Sequence, residues 1–336
     1  MAEVSFDTLR DTLEKALLKA GLEAEDARVC ARVHAESTRD GVHSHGIGRI
    51  PRFIEYVEKG WVDVKAVPER VHALGAIEVF DGHMGIGIIN ALHATERAIE
   101  LAKEHGMGLV ALRNTTHWMR GGSYGWHAAE KGMATIMWTN TESCMPAWGA
   151  TSQSIGNNPL VMGVPHEEGP LVLDMAMSQF SYGKLQTLTS KGESLPVDGG
   201  FDMQGELSRD PAAIAATRRL LPTGYWKGSG LAILLDAMAA LLSSGRPSHA
   251  IDEVEKGSGG GSCQIFMVFD PLQIAGQATC DAIVEGIKQH LAAAEPATSG
   301  QPVRYPGEST YRQRHGQGVL RLDDTLWASV SQLAHR

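Results

Sequence analysis

Residues 76–112, AIEVFDGHMGIGIINALHATERAIELAKEHGMGLVAL, decide the fold. Residues 77–80 and 108–112 are short apolar runs of the kind that form buried strands, and a helix-like segment lies between them. Strand, helix, strand is the grammar of an α/β domain. Gly82, Gly85 and Gly87 follow the first strand, but their spacing is not that of the dinucleotide fingerprint, in which glycines let a phosphate approach a helix start. A nucleotide bound here therefore calls for a sheet that is not of the Rossmann type.

The same alternation continues outward. Apolar runs at 134–138, 160–164, 171–173 and 264–269 are separated by helix-like stretches, so the α/β reading covers 76–270. Upstream, Leu9, Leu13, Ala16, Leu17 and Ala20 recur at helical spacing before Gly21, and a second helical segment runs from about Ala24 to Thr38, so 1–75 reads as a helical region. Residues 271–336 read as a C-terminal helical segment that closes the site and in part joins the N-terminal helices. Between 198 and 211, Gly and Asp without apolar periodicity predict a long surface loop or lid, and GSGGGS at 257–262 reads as a flexible turn.

The bulk numbers narrow the function. With 30 Lys and Arg against 39 Asp and Glu, the net charge of −9 would repel nucleic acid and anionic lipid. Cys30, Cys144, Cys263 and Cys280 are too sparse for a disulfide framework and have no zinc-knuckle spacing, which suits a reducing, cytoplasmic compartment. The N-terminus has no basic stretch leading into an apolar one, and the strongest apolar run, 231–242, is interrupted by Asp236 and falls short of the roughly 20 residues that span a bilayer. It reads as a buried core helix, with no membrane partner.

Four segments carry chemistry. In VHSHGIGRIPRFIEYVEKG, Pro51 is tolerated only in the first turn of a helix, which predicts a helix from near Gly48 to Lys59 with His45 just before it. Arg49 and Arg52 share one face and Ile47, Ile50, Ile54 and Val57 the other. One imidazole and two guanidiniums suit a keto acid, the arginines for its carboxylate and the histidine as proton donor, although a solvated helix face has the same spacing. His43 and His45 also form an H-x-H pair, yet no carboxylate or thiol cluster accompanies them, so no metal is expected.

In RNTTHWMRGGSYGWHAAEKG, glycines precede a helix predicted near Ser123, a geometry that can aim backbone N–H groups at an anion. Gly121 to Gly125 also match the G-x-S-x-G elbow of serine hydrolases. That elbow places its serine directly between strand and helix, whereas about ten residues separate Ser123 from the strand before it. His117 and Arg120 are the better pocket candidates. In LVLDMAMSQF, a strand opens into Asp174 and Ala176, a common place for ligand contacts, with a helix cap as the plain alternative for Asp174. In LPTGYWKGSG, Lys227 beside a Gly-rich helix start suits a cofactor phosphate, or is an exposed lysine on a packed helix.

Taken together, SHGIGRIPRFIEYVEKG, HWMRGGSYGW, IGNNPL, LDMAMSQFSYGKL, LPVDGGFD and LPTGYWKGSG resemble the malate/L-lactate dehydrogenase type-2 family over nearly the whole chain. The resemblance implies an α/β, non-Rossmann, nicotinamide-binding mixed sheet beside a mainly helical domain built from the N-terminal region, in a homodimer. It implies that NADH, or NADPH, gives a hydride to C2 of 2,3-diketo-L-gulonate, yielding 3-dehydro-L-gulonate. By matching segments His45 resembles the proton donor, and Ser44, Arg49, Arg52, His117 and Arg120 match positions near the substrate. The cofactor would lie along Pro170, Leu171, Val172, Leu173, Asp174, Met175 and Ala176, at Trp226 and Lys227, and near Gly307, Glu308 and Ser309. Trp118, Met119, Trp126 and Tyr225 would shape the choice among this substrate and malate, lactate, ureidoglycolate or a cyclic imino acid. A Ser123 hydrolase is the alternative of another class, and a non-catalytic sugar-acid binding protein a third.

Overall fold

The computed structural model describes residues 1–316 and 318–335. Its centre is a seven-stranded mixed sheet in the order Glu69–Leu74, Ile77–Asp81, Met107–Thr115, Ser262–Phe269, Ala134–Thr139, Leu160–Val164, Leu171–Met175. Only Ile77–Asp81 and Met107–Thr115 run parallel, because the helix Gly87–His105 carries the chain back across the sheet between them; the other pairs are antiparallel. The middle strand comes from the far end of the domain, so the sheet closes only when 262–269 arrives.

Strand alternation distributes the core. Val110, Leu112, Met137, Phe266 and Val268 face the helices Gly87–His105 and Gly122–Glu130. Their neighbours Leu109, Ala111, Trp138, Cys263 and Ile265 face the opposite layer, where Ala232, Leu235 and Ala239 of the helix Trp226–Ser243 cover them. Both faces are covered, which is why these strands read as continuous apolar runs rather than alternating ones.

A separate helical cluster abuts one end. Ser5 Oγ accepts the Thr8 N–H to start Phe6–Lys19, whose Leu9, Leu13, Ala16 and Leu17 pack on Ala24–Arg39 and on the C-terminal Asp324–His335, which in turn meets Ile50–Glu58. The strand Leu320–Leu322 pairs with Ala2–Val4, so both ends of the chain lie in this cluster.

Three expectations change. The strand Glu69–Leu74 was not predicted: it is an exposed edge without apolar alternation, and its signal is the two-residue turn Gly75–Ala76 that pairs Leu74 with Ile77. Residues 198–211 contain a short hairpin, Gly200–Phe201 with Leu207–Ser208, and lead into the helix Pro211–Thr217 capped by Asp210, not a long structureless loop. The apolar run at 231–242 is helical but not a buried core helix. Ala232, Leu235 and Ala239 are buried, whereas Leu234 is 61% and Leu241 77% exposed. The helix is long and apolar enough by length and composition to cross a membrane. Its inner face nevertheless rests on the sheet, and Asp236 accepts hydrogen bonds from Asn140 Nδ2 and the Ser248 N–H.

Phe266 is fully buried on the middle strand between Trp118 and Tyr124. Phe266→Ala should lower unfolding free energy by about 3–5 kcal/mol, read by denaturant titration; a loss below 1 kcal/mol would show that the middle strand is not the keystone of the core.

Candidate active site

A cavity of about 430 Å³ lies where the helical cluster meets the sheet, and Ser44, His45, His117, Arg120, Val172, Asp174 and Ala176 are among its lining residues. That volume is typical of small-molecule sites.

The loop that presents His45 is fastened to the helix Ala24–Arg39. Thr38 Oγ1 accepts the Ile47 N–H at 2.8 Å and donates to His34 O, while His34 Nδ1 meets Gly46 O at 3.1 Å. A β-carbon on Gly46 would lie 2.3 Å from Thr38 Oγ1, so only glycine lets the turn lie this close. Pro51 falls in the first turn of Ile50–Glu58, as its lack of an N–H requires. His45 Nδ1 is 3.0 Å from Ser44 Oγ, and its ring stacks on His117 at 5.8 Å between centroids. His117 Nδ1 accepts the Met119 N–H at 2.8 Å, which places that ring's proton on Nε2.

Burial, then the charges of Arg49 and Arg120, push the His45 pKa down to about 4. His117 is pushed well below its ordinary value by burial and by Arg49. Both imidazoles are therefore neutral in the free site at pH 7.

The arginines divide. Arg49 donates from Nη2 to Ser258 Oγ at 2.8 Å, which brings the 257–262 turn to the cavity as a wall. The Gly/Ser composition reads as a linker because its role lies in backbone shape and one hydroxyl. Arg49 itself stands behind that wall, half-buried, and Arg52 is exposed and outside it. Arg120 is buried and donates to Asp40 Oδ2 at 2.5 Å, and its Nε, 3.7 Å from Asp174 Oδ2, has no hydrogen-bond partner.

Asp40, which the sequence did not single out, is the hub. Its side chain is fully buried, and Arg314 from the helix Glu308–His315 also binds it, at 2.7 Å. Burial pushes the Asp40 pKa up, but Arg314 and Arg120 outweigh it and hold the carboxyl below its ordinary value. Arg314 also stacks on Trp126 at 4.2 Å.

The anion predicted for the N-terminus of the Ser123 helix is supplied by the chain itself: Gly122 N–H donates to Asp174 Oδ2 at 2.9 Å. Asp174 thus caps a helix, though not its own. Ser123 is the second residue of Gly122–Glu130, and among the described residues no hydrogen bond joins its hydroxyl to a histidine. The elbow of a hydrolase needs both features, so that alternative falls.

The strand Leu171–Met175 ends the sheet, paired only with Leu160–Val164. Gly307 closes on its free edge with φ +93°, where a β-carbon would lie 2.9 Å from Val172 N, and Val172 N–H donates to Pro306 O at 3.0 Å. The structure thus brings 170–176 together with Gly307, Glu308 and Ser309. Trp226 and Lys227 are exposed and outside the cavity wall. They follow 221–223, whose backbone pairs with 177–179 just beyond Ala176.

The chain matches the malate/L-lactate dehydrogenase family model over residues 4–331. It is 44% identical over 333 residues to the 2,3-diketo-L-gulonate reductase of Klebsiella pneumoniae (strain 342), covering 98% of this chain and 100% of that one. Among solved structures it resembles malate dehydrogenase from Entamoeba histolytica (25% identity, TM-score 0.91, 99% of this chain and 97% of that one). It also resembles delta1-piperideine-2-carboxylate reductase from Pseudomonas syringae pvar. tomato (30% identity, TM-score 0.85, 99% of this chain and 100% of that one).

Removing the Asp40 charge would take from two largely buried guanidiniums the carboxylate they share, leaving Arg314 only Glu130 at 2.7 Å and Arg120 only Asp174 at 3.7 Å. Asp40→Asn should cost about 1.5–3 kcal/mol at neutral pH, the scale of a charge-assisted hydrogen bond. Because the native carboxyl titrates below its unfolded value, its contribution is present above about pH 4 and fades as pH falls through the lowered native pKa. The variant should therefore lose less stability than the parent on acidification. Unfolding curves at neutral and acid pH check both; equal acid limbs would overturn the assignment.

Proposed function

We propose, because this chain belongs to the malate/L-lactate dehydrogenase family, that it reduces the 2-keto group of 2,3-diketo-L-gulonate to give 3-dehydro-L-gulonate, with NADH as reductant. The observation that carries this reading is a small cavity lined by His45, His117 and the buried Arg120, with Arg49 just behind its wall, in a chain that aligns end to end with a diketogulonate reductase.

The residues fit a nicotinamide nucleotide: one edge of the strand Leu171–Met175 lacks a neighbouring strand, Gly307 lets a second backbone approach it, and Val172, Asp174 and Ala176 reach the cavity. Pro170 to Ala176 with Gly307, Glu308 and Ser309 would hold it, and Trp226 and Lys227 would meet it beyond Ala176. An acidic side chain, Glu308, at that turn favours a ribose hydroxyl over a 2′-phosphate. When bound, the reduced nicotinamide supplies the hydride to C2.

The chain's own groups do the rest. Arg49, steadied by Ser258, takes the substrate carboxylate in a charge-assisted hydrogen bond, with Arg52 adding positive charge farther out. That places the adjacent ketone against His45, whose Nε2 has no protein partner among the described residues once Nδ1 is engaged by Ser44. His45 delivers the proton to the carbonyl oxygen, and the Nε2–H of the neutral His117 is a hydrogen-bond donor beside it, not a proton source. Val172, Met119 and Trp126 line the cavity and exclude water from the reacting atoms.

The exposed apolar face of Trp226–Ser243, with Leu231, Leu234, Met238 and Leu241, supports a homodimer in which that face is covered. Four free thiols suit a reducing, cytoplasmic setting.

The absorbance of NADH, and then of NADPH, followed with diketogulonate, oxaloacetate and pyruvate in parallel, tests the reading. Fast oxidation with the diketo acid alone supports it, and a preference for oxaloacetate or pyruvate moves the substrate within the family. His45→Ala should lower kcat on the order of 10²–10⁴-fold while leaving NADH affinity unchanged; equal loss of both would remove His45 from the chemistry. Since only the imidazolium donates a proton and its free-site pKa is about 4, kcat/KM for reduction should fall about tenfold per pH unit between about pH 5 and 8. A flat profile would mean another donor.

A further inference from the structure

The cavity also holds a carboxylate that the scheme above leaves idle. Glu142 lines it on the loop after the strand Ala134–Thr139. The backbone on either side is pinned: Thr141 N–H donates to Asn158 Oδ1 at 3.0 Å, and Ser143 N–H to Asp252 Oδ1 at 2.8 Å. Asn140, one residue earlier, is fixed by Cys263, Asp236 and Arg246. The backbone under Glu142 is therefore fixed, and its side chain lines the cavity. Its Oε1 lies 4.0 Å from where a β-carbon on Gly257 would be, next to the turn whose Ser258 holds Arg49.

Among the described residues no cation lies within 4.0 Å of the Glu142 carboxylate and no other side chain donates to it. Burial raises its pKa, with Asp252 adding to the rise; its own backbone N–H, then Arg49 and Arg218, oppose that and favour the ionised form. Glu142 thus lines the cavity while Arg49 stands just behind the wall that Ser258 forms, the two close enough to feel each other without pairing. A half-buried carboxylate that no other side chain satisfies needs hydrogen-bond donors, and it repels another anion.

We propose that Glu142 sets substrate specificity by accepting hydrogen bonds from the hydroxyls of a polyhydroxy keto acid and rejecting keto acids that carry a second carboxylate. This rests on the 2-keto-acid reading of the cavity but adds what that reading lacks, a selection by the distal end of the substrate. A monoacid with hydroxyls places its carboxylate at Arg49 and its donors at Glu142. A dicarboxylate of similar length must leave one charge facing Glu142.

Oxaloacetate differs from pyruvate by one carboxylate, so the ratio of their kcat/KM values isolates the effect. In Glu142→Gln that ratio should rise at least about tenfold, equivalent to about 1.4 kcal/mol, while kcat/KM for diketogulonate falls several-fold and falls further in Glu142→Ala. Where turnover of either keto acid is too slow, its Kd for the enzyme loaded with oxidised cofactor gives the same ratio. An unchanged oxaloacetate-to-pyruvate ratio in both variants would overturn the proposal. A parent enzyme inert to diketogulonate whose ratio still responds would remove the diketogulonate reading and leave Glu142 standing. Normal diketogulonate turnover with an unresponsive ratio would do the reverse.

Discussion

The carboxylate of Asp40 is a charge that water never reaches, and the molecule is arranged around satisfying it. It closes the helix Ala24–Arg39, and its partners come from 80 and 274 residues away in sequence. A buried carboxylate alone is far too costly to persist, and so are two buried guanidiniums without an anion. The three can be dehydrated only together. The helical cluster, the loop that carries His117 and the C-terminal helix beside the strand edge are thereby locked to one another. Each contributes a wall of the cavity, so the ion cluster is what gives the site its shape. Whether such a cluster adds net stability over an apolar one is a separate matter; its contribution here is register.

The mixed sheet explains why a nucleotide site in this architecture cannot follow the Rossmann pattern. In that pattern a free helix N-terminus after the first strand receives the pyrophosphate. Here the helix Gly122–Glu130, the one whose N-terminus points into the cavity, already has Asp174 as its anion. What is open instead is the outer edge of Leu171–Met175, where backbone groups that no strand claims are available, and the glycine at 307 that lets a second segment close over them. A site built on a strand edge needs no repeated glycine spacing, so its sequence carries none.

How much was legible follows from where the signal lives. Six of the seven strands are buried on at least one face and appear as apolar runs; Leu160–Val164 matches its predicted span residue for residue. The exposed edge Glu69–Leu74 buries nothing and so left no pattern. His45, His117 and Arg120 could be named from local residue type, and the fold brings them together. Arg49 was named too, but its anchor Ser258 was hidden in a Gly/Ser turn. Asp40 and Arg314 could not be found because a buried ion cluster is a long-range fact, and each member alone looks like an ordinary helix-end charge. The outer face of Trp226–Ser243 misled for the opposite reason: an apolar helix reads as core whether its second layer comes from the same chain or from elsewhere.

The low pKa of His45 looks at first like an obstacle to a proton donor, since an imidazole near 4 is uncharged at neutral pH. The causes of the shift resolve it. Burial contributes most, and the rest is repulsion from Arg49 and Arg120. Burial would remain when the proposed substrate enters, but the repulsion would not: a carboxylate against Arg49 would neutralise that charge and add a negative one at close range, which favours imidazolium. On the proposed reading the site takes up its proton as it takes up the acid. An imidazole kept neutral until then does not add a third positive charge beside two arginines in the free site. In the reaction proposed above, the carboxylate that positions the ketone would thus also make the proton available to it, and a neutral ketone, lacking that charge, would be bound without an acid to complete the reaction.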